Sequence, residues 1–292
     1  MAVGFITGRF GADRTDKILE LCFEEAKRED KKPIYILVPE KFTYEMEKRL
    51  SEKLEDEKNI DPNFRIRVVS FSTLSKIVFT NVGGLKERRL TTSARSLLTF
   101  KAMDMVSKNL ITFKSDDFKM GFVNNIMDMI IEFKQNDFSV SDVFSLTENV
   151  KNESLKFKMQ DLYNIYKSYE NLIDKKYSDT EDTLNIFAEK LDDFESIKGA
   201  TIFVDEYMDF TPAQYLVIEK LIYFSKNIYF SLLTDFKNLH SKMNMFLRSN
   251  STILNIKNIC EKYNISLLEN ISLSNESYYN YKDLSFLEKN IG

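Results

Sequence analysis

The sequence predicts an α/β protein, a parallel sheet core with an all-helical insertion. Three observations predict it. Short apolar runs alternate with helix-period segments over residues 1–83, and no convincing strand pattern follows until about Phe194. Strand-like runs then return from Ala200. Neither half has enough strands for a sheet of its own, so the expected division is a core of residues 1–83 plus 198–292, interrupted by a helical subdomain over 84–197.

The elements follow in order. Ala2–Thr7 is apolar and stops at Gly8, which suits a buried strand. From Asp16, the residues Ile18, Leu19, Cys22, Phe23 and Ala26 recur at helical spacing. Pro33 introduces a second buried strand, Ile34–Val38, ending at Pro39, and Phe42, Met46, Leu50 and Leu54 then mark one face of a helix. Ile66–Val69 reads as a third strand and Phe71–Phe79 as a short helix, and Gly83-Gly84 breaks the pattern.

Within the insertion, Phe122, Ile126, Met129, Ile130 and Phe133 form one amphipathic face. Leu155, Met159, Leu162, Tyr166, Tyr169 and Ile173 form another, and Ser178-Asp179-Thr180-Glu181 suits a capping box that opens a third helix. Ala200–Val204 and Asn227–Leu233 are strands, with a helix from Pro212 between them. A helix near Met243–Tyr263 and a weak strand at Ile265–Leu268 precede a tail with little periodicity.

Composition narrows the chemistry. A formal net charge of -4 gives no global basic signal, so a nucleic-acid surface has to be a local patch. Two cysteines far apart, Cys22 and Cys260, and one histidine, His240, argue against a zinc site or a Cys/His pair and suit a reducing cytoplasmic compartment. The N-terminus lacks a basic flank followed by an apolar signal core.

Gly8-Arg9-Phe10-Gly11-Ala12-Asp13-Arg14-Thr15 stands between a strand and a helix, where a P-loop reads G-x-x-x-x-G-K-[ST]. Such a turn wraps phosphates with backbone N–H groups, neutralises them with Lys and holds Mg²⁺ through the hydroxyl. Gly8, Gly11 and Thr15 fit, whereas Asp13 replaces the glycine and Arg14 the lysine. A carboxylate beside a triphosphate repels it, unless Asp13 pairs with Arg14 or another neighbour. The plain alternative is an ordinary strand–turn–helix connection.

Ile202-Phe203-Val204-Asp205-Glu206 has the Walker B form, an apolar strand ending in Asp for Mg²⁺ and Glu for the attacking water. Asp205 and Glu206 are the catalytic candidates if the chain is an ATPase, and ATP with Mg²⁺ is the cofactor pair such a site takes. The plain alternative is a strand meeting solvent. Both turns lie at carboxyl ends of predicted parallel strands, where open α/β sheets bind ligands.

A single-strand DNA surface is the third candidate. Lys41, Phe42, Thr43 and Tyr44 follow the second strand, and Arg65 and Arg67 precede Ser70, Phe71, Ser72 and Thr73, with Lys76 following. Cations, hydroxyls and aromatics at strand ends suit phosphate contact and base stacking. Against this, Phe42 and Phe71 suit the core and the charges a solvated face, as Lys86–Arg89 suits a solvated loop.

These blocks resemble the N-terminal region of AddB, the B subunit of bacterial AddAB helicase–nucleases. Ile36–Glu47 is similar to the family's LVPEQ-x-TF-x-x-E stretch and Val69–Leu74 to its SFSRLA stretch. Gly121-Phe122 with Glu132-Phe133-Lys134 matches its GF…EFK spacing, and Asp205–Gln214 resembles its VDGF-x-x-FTPQE. The resemblance runs from Met1 to about Leu233. It implies a P-loop, RecA-like, superfamily-one helicase-like core with an inserted helical subdomain. It implies guidance of single-stranded DNA, Chi reading in many members, a role in double-strand break repair, and an AddA-type partner.

The family's nuclease, with a four-cysteine iron–sulfur cluster, lies several hundred residues further on, so this chain is expected to be a fragment without it and without that cluster. The family commonly has Gly-Lys-Ser/Thr at the turn and often Asp-Gly where this chain has Asp205-Glu206. Lys41 replaces its Gln and Thr73 its Arg, while Thr43, Phe71 and Phe210 match. The expected activity is DNA handling with weak or no ATP hydrolysis. The alternatives are a working P-loop motor, with Arg14 in place of lysine, and a purely structural docking module.

Overall fold

The computed structural model describes residues 1–28, 30, 32–56, 65–83, 88–114, 118–136, 138–173, 177–178, 180–235 and 245–273, with Asp283 and Phe286. His240, Gly84, residues 86 and 87 of the expected Lys86–Arg89 loop and the side chains of the expected 178–181 capping box lie outside them. The chain divides into two compact units, residues 1–83, 187–210 and 214–292 in one and residues 84–186 and 211–213 in the other.

The first unit is built on a seven-stranded sheet in which every pairing is parallel. Strand β1 (Ala2–Gly8) leads to helix α1 (Arg14–Ala26), β2 (Ile34–Leu37) to α2 (Thr43–Asp56), and β3 (Ile66–Val69) to α3 (Phe71–Val82). The second unit contains β4 (Arg88–Arg89), α4 (Thr92–Val106), α5 (Met120–Gln135), α6 (Val140–Asn149), α7 (Glu153–Ile173) and β5 (Tyr177–Ser178). Helix α8 (Thr180–Lys190) leads back to β6 (Thr201–Val204), followed by α9 (Pro212–Phe224), β7 (Asn227–Leu233), α10 (Leu247–Lys262), β8 (Ser266–Leu267) and β9 (Ile271–Leu273).

The strand order is β3-β2-β6-β7-β1, with β8 and β9 both beside β1. Strand β6 enters between β2 and β7, pairing Leu37 with Val204 and Val204 with Phe230. Residues from both sides of the inserted helices thus complete one sheet. All the carboxyl ends consequently emerge at one edge, where β1, β2, β3 and β6 each turn into a helix or loop. Strands β1, β2 and β6 are apolar because both faces are covered, and Ile6, Ile34, Ile36 and Phe203 pack with Ile18, Leu19, Cys22 and Phe23 of α1 and with Met46 and Leu50 of α2.

The opposite edge is tied by Arg65, expected from sequence near the DNA surface. It sits at the entrance of β3 and donates to the carbonyls of Glu25 (2.9 Å), Ala26 (2.7 Å), Arg28 (2.9 Å) and Lys32 (3.3 Å). The guanidinium therefore caps the carboxyl end of α1, where orphan carbonyls and the helix dipole favour a cation.

In the helical unit, Met103, Ile126, Ile130, Leu162, Ile165 and Tyr169 form the core. Asp161 is fully buried and accepts backbone N–H bonds from Ile111 (2.8 Å), Thr112 (2.6 Å) and Phe113 (3.0 Å), which fixes the loop between α4 and α5. Strands β4 and β5 form a parallel pair through Arg88–Tyr177 and Arg89–Ser178, where the sequence showed no strand. Among the described residues no helix is long and apolar enough to cross a membrane.

Candidate functional site

The site lies at the carboxyl edge of the sheet, where β1 ends at Gly8. A Cβ on Gly8 would stand 2.7 Å from that of Ala12, so the chain turns back tightly on itself. Gly11 adopts φ 88°, a conformation that glycine supplies without strain. Inside the turn, Ala12 N–H donates to the Arg9 carbonyl (3.2 Å) and Arg14 N–H to the Ala12 carbonyl (2.9 Å). These amides are satisfied internally.

Helix α1 begins at Arg14 with Asp13 as its N-cap, the Asp13 carboxylate accepting the Asp16 N–H at 2.9 Å. Asp13 does not pair with Arg14. Its partner is Arg49 of α2, whose Nη2 stands 2.9 and 2.8 Å from the two carboxylate oxygens. One turn further along α2, Lys53 pairs with Asp16 at 2.6 Å. Arg14 instead turns toward the start of the loop, with Nη1 3.4 Å from the Gly8 carbonyl, a long bond at the limit of the useful range.

Thr15 and Asp205 come together. Both are buried, and Thr15 Oγ1 donates to Asp205 Oδ2 at 2.7 Å. The other Asp205 oxygen accepts the Glu206 N–H at 2.9 Å. Glu206 itself has φ 62°, an uncommon backbone state for a residue with a Cβ. Burial raises its carboxyl pKa, the Asp205 charge adds to this, and Arg14 opposes it. Thr15, Phe42, Glu45, Met46, Arg49 and Glu206 line a cavity of ≈ 60 Å³ beside the turn.

The DNA candidates separate into two groups. Lys41 and Lys76 are exposed, and the Lys41 ammonium lies 4.7 Å from the centre of the Phe42 ring. Thr43 is half-buried and donates to the Glu40 carbonyl at 2.8 Å, closing the short turn Glu40–Phe42 that leads into α2. Phe71 and Phe210 are only 7% and 6% exposed. Their rings meet edge-to-face at 6.3 Å, and Tyr207 packs on both at 5.6 and 5.0 Å. Sequence reasoning missed Arg49, which lies beyond the Ile36–Glu47 block, and gave Glu45 inside that block no role at the site. The spacing of Arg49 and Lys53 opposite Asp13 and Asp16 was the available signal.

The donor set separates the two ligands that the turn suggests. A hydroxyl and a carboxylate, Thr15 and Asp205, are oxygen donors of the kind Mg²⁺ takes. A triphosphate does not fit the turn in this arrangement, because amides of Ala12 and Arg14 are committed to carbonyls and the Asp13 carboxylate stands at the head of α1. Among the described residues no group of three or more His, Cys, Asp or Glu is placed to hold a metal ion. Cys22 and Cys260 are buried free thiols, and burial pushes the Cys260 thiol up to about 11.

Residues 5–288 match the family model described as ADDB, N-terminal. The chain is 34% identical over 294 residues to the B subunit of the ATP-dependent helicase/deoxyribonuclease of Clostridioides difficile strain 630, covering 99% of this chain and 25% of that protein. It is 32% identical over 295 residues to the protein of the same name from Thermoanaerobacter sp. strain X514, covering 100% and 25%. The corresponding Clostridium botulinum strain Hall protein is 33% identical over 301 residues, covering 100% and 26%. The chain thus spans about a quarter of the length of these relatives. With the family model covering nearly the whole sequence, the chain belongs to the ADDB N-terminal family.

Proposed function

We propose that this chain is the P-loop, RecA-like helicase module of an AddB-type subunit, and that it guides single-stranded DNA with little or no ATP hydrolysis. In this reading it serves double-strand break repair beside an AddA-type partner. The relatives are named as the B subunit of a helicase/deoxyribonuclease, which supports both the setting and the partner. Chi reading is part of the same proposal and would fall to the edge that carries Lys41, Thr43 and Lys76, with Phe71 and Phe210 as its aromatic floor.

The observation that carries the reading is the contrast inside one site. The Thr15–Asp205 bond keeps the pairing through which a P-loop and a Walker B strand share Mg²⁺. The phosphate half of the site is closed, with Asp13 in place of glycine and bound to Arg49. Residues remote from phosphate are kept, and those nearest to it are not. A motor in which Arg14 replaces lysine is the rival, and the approach of Arg14 to the Gly8 carbonyl is the observation in its favour.

Two measurements on the 292-residue chain decide between them. A steady-state ATPase assay with oligodeoxythymidine should show no turnover above background, and turnover abolished by Glu206→Gln establishes the motor instead. Fluorescence anisotropy at low salt should show single-strand binding that weakens with salt, because phosphate contacts release counterions. Lys41→Ala and Lys76→Ala should each flatten the salt slope by roughly one unit. Affinity unmoved by either change removes this edge as the DNA surface.

A further inference from the structure

The misfit between the turn and a triphosphate has a specific source. The Asp13 carboxylate accepts an N–H of the first turn of α1, and both of its oxygens lie within reach of one guanidinium nitrogen, Arg49 Nη2. Backbone N–H groups at a helix start and a guanidinium are groups that bind a phosphate. The protein thus sets an anion of its own against groups of the kind a phosphate uses. A second ion pair, Lys53–Asp16 at 2.6 Å, fastens α2 across the same turn of α1. Arg49 also lines the ≈ 60 Å³ cavity shared with Thr15 and Glu206.

We propose that the Asp13–Arg49 pair is an internal latch that occupies the phosphate place of the Gly8–Thr15 turn. Arg49 is then the cation that the phosphates of a nucleoside triphosphate meet when the latch is open. The proposal rests on the reading of this chain as a P-loop module with little hydrolysis, and supplies the residue pair that causes it. A tethered carboxylate competes at a high effective concentration, so it outcompetes dissolved polyphosphate although it carries less charge. Removing the carboxylate removes the competitor and releases Arg49 in one step.

Calorimetric titration of the 292-residue chain with inorganic tripolyphosphate, and separately with ATP and Mg²⁺, tests this at low salt. Asp13→Asn keeps an N-cap side chain but not the charge, whereas Asp13→Gly also restores the glycine of the motif. Each should bind tripolyphosphate at least about tenfold more tightly than the unaltered chain, the scale of one charge-assisted contact. Adding Arg49→Gln to either variant should return affinity to the starting level. Circular dichroism confirms that each variant is folded, and Asp13→Asn decides the question if Asp13→Gly is not. No gain in a folded Asp13→Asn variant overturns the latch, as does a gain that survives Arg49→Gln. Single-strand binding measured on the unaltered chain reports separately on the DNA-guiding function, so the two failures are distinguishable.

Discussion

Thr15 and Asp205 are 190 positions apart in sequence, yet Thr15 Oγ1 donates to Asp205 Oδ2 at 2.7 Å with both residues buried. The bond joins the first turn of α1 to the end of β6, so it forms only when chain from both sides of the inserted helices completes the sheet. Thr15→Val keeps the shape and removes the donor, leaving a carboxyl oxygen at 1% exposure without that partner. We expect a loss of about 2–4 kcal/mol in urea unfolding, with Thr15→Ser close to the unaltered chain. Asp205→Asn added to Thr15→Val should cost less than the sum of the single changes, since both remove one interaction. Strict additivity would show that the bond contributes nothing.

Arg65 makes a prediction at the other edge. Its guanidinium spans the carbonyls of Glu25, Ala26, Arg28 and Lys32, so it works as a helix cap. Arg65→Ala should lower stability by about 1–3 kcal/mol. Arg65→Lys should recover little of it, because an ammonium cannot fork across carbonyls as a planar guanidinium does. DNA affinity should be unchanged in both. A fall in affinity at unchanged stability would return Arg65 to the DNA surface.

What the sequence made legible follows from its periods. Strands with largely buried residues read as apolar runs, and Asn227–Leu233 was found at its observed limits, as was Ile66–Val69 despite the exposed Arg67. Helix α4 was missed because Leu97, Phe100 and Met105 are exposed apolar residues opposite the buried Ala102 and Met103, which erases the amphipathic period. Strand β9 was missed because Ile271–Leu273 is short and only partly buried, and it is held by pairing with β1. The sequence marked Asp13 as a departure from the phosphate-turn pattern. Its partner was invisible, because the Asp13–Arg49 contact is a property of how α2 lies beside α1.

Phe71 and Phe210 match the family's pattern, but their burial separates two kinds of contribution to DNA handling. At 7% and 6% exposure they offer neighbouring aromatic rings, rather than open faces, to Tyr207 and to each other. Alanine at either position should cost about 3–5 kcal/mol of stability. Leucine at Phe71 should cost about 1 kcal/mol and leave single-strand affinity within about twofold, as expected of a packing residue. Affinity lost in a Phe71→Leu variant of unchanged melting temperature would mean that the ring turns outward to stack on a base.

Glu206 gives a pH dependence whose sign is fixed by its surroundings. Burial and the neighbouring Asp205 raise its carboxyl pKa from an ordinary 4.5. Between that value and the raised folded value, the folded chain holds more protons than the unfolded chain, so stability falls as pH rises through the window. Above the folded value the charged carboxylate carries its full cost, and below the ordinary value the cost is absent. Glu206→Gln should therefore be more stable than the unaltered chain at about pH 7.5, with the gap closing as pH is lowered toward 4.5. Glu206→Gly should add about 1 kcal/mol at every pH, because glycine adopts φ 62° without strain. Thermal unfolding across that range measures both effects. A gap that does not change with pH would show that the Glu206 carboxylate is fully solvated in the folded protein, and that its backbone conformation alone carries the cost.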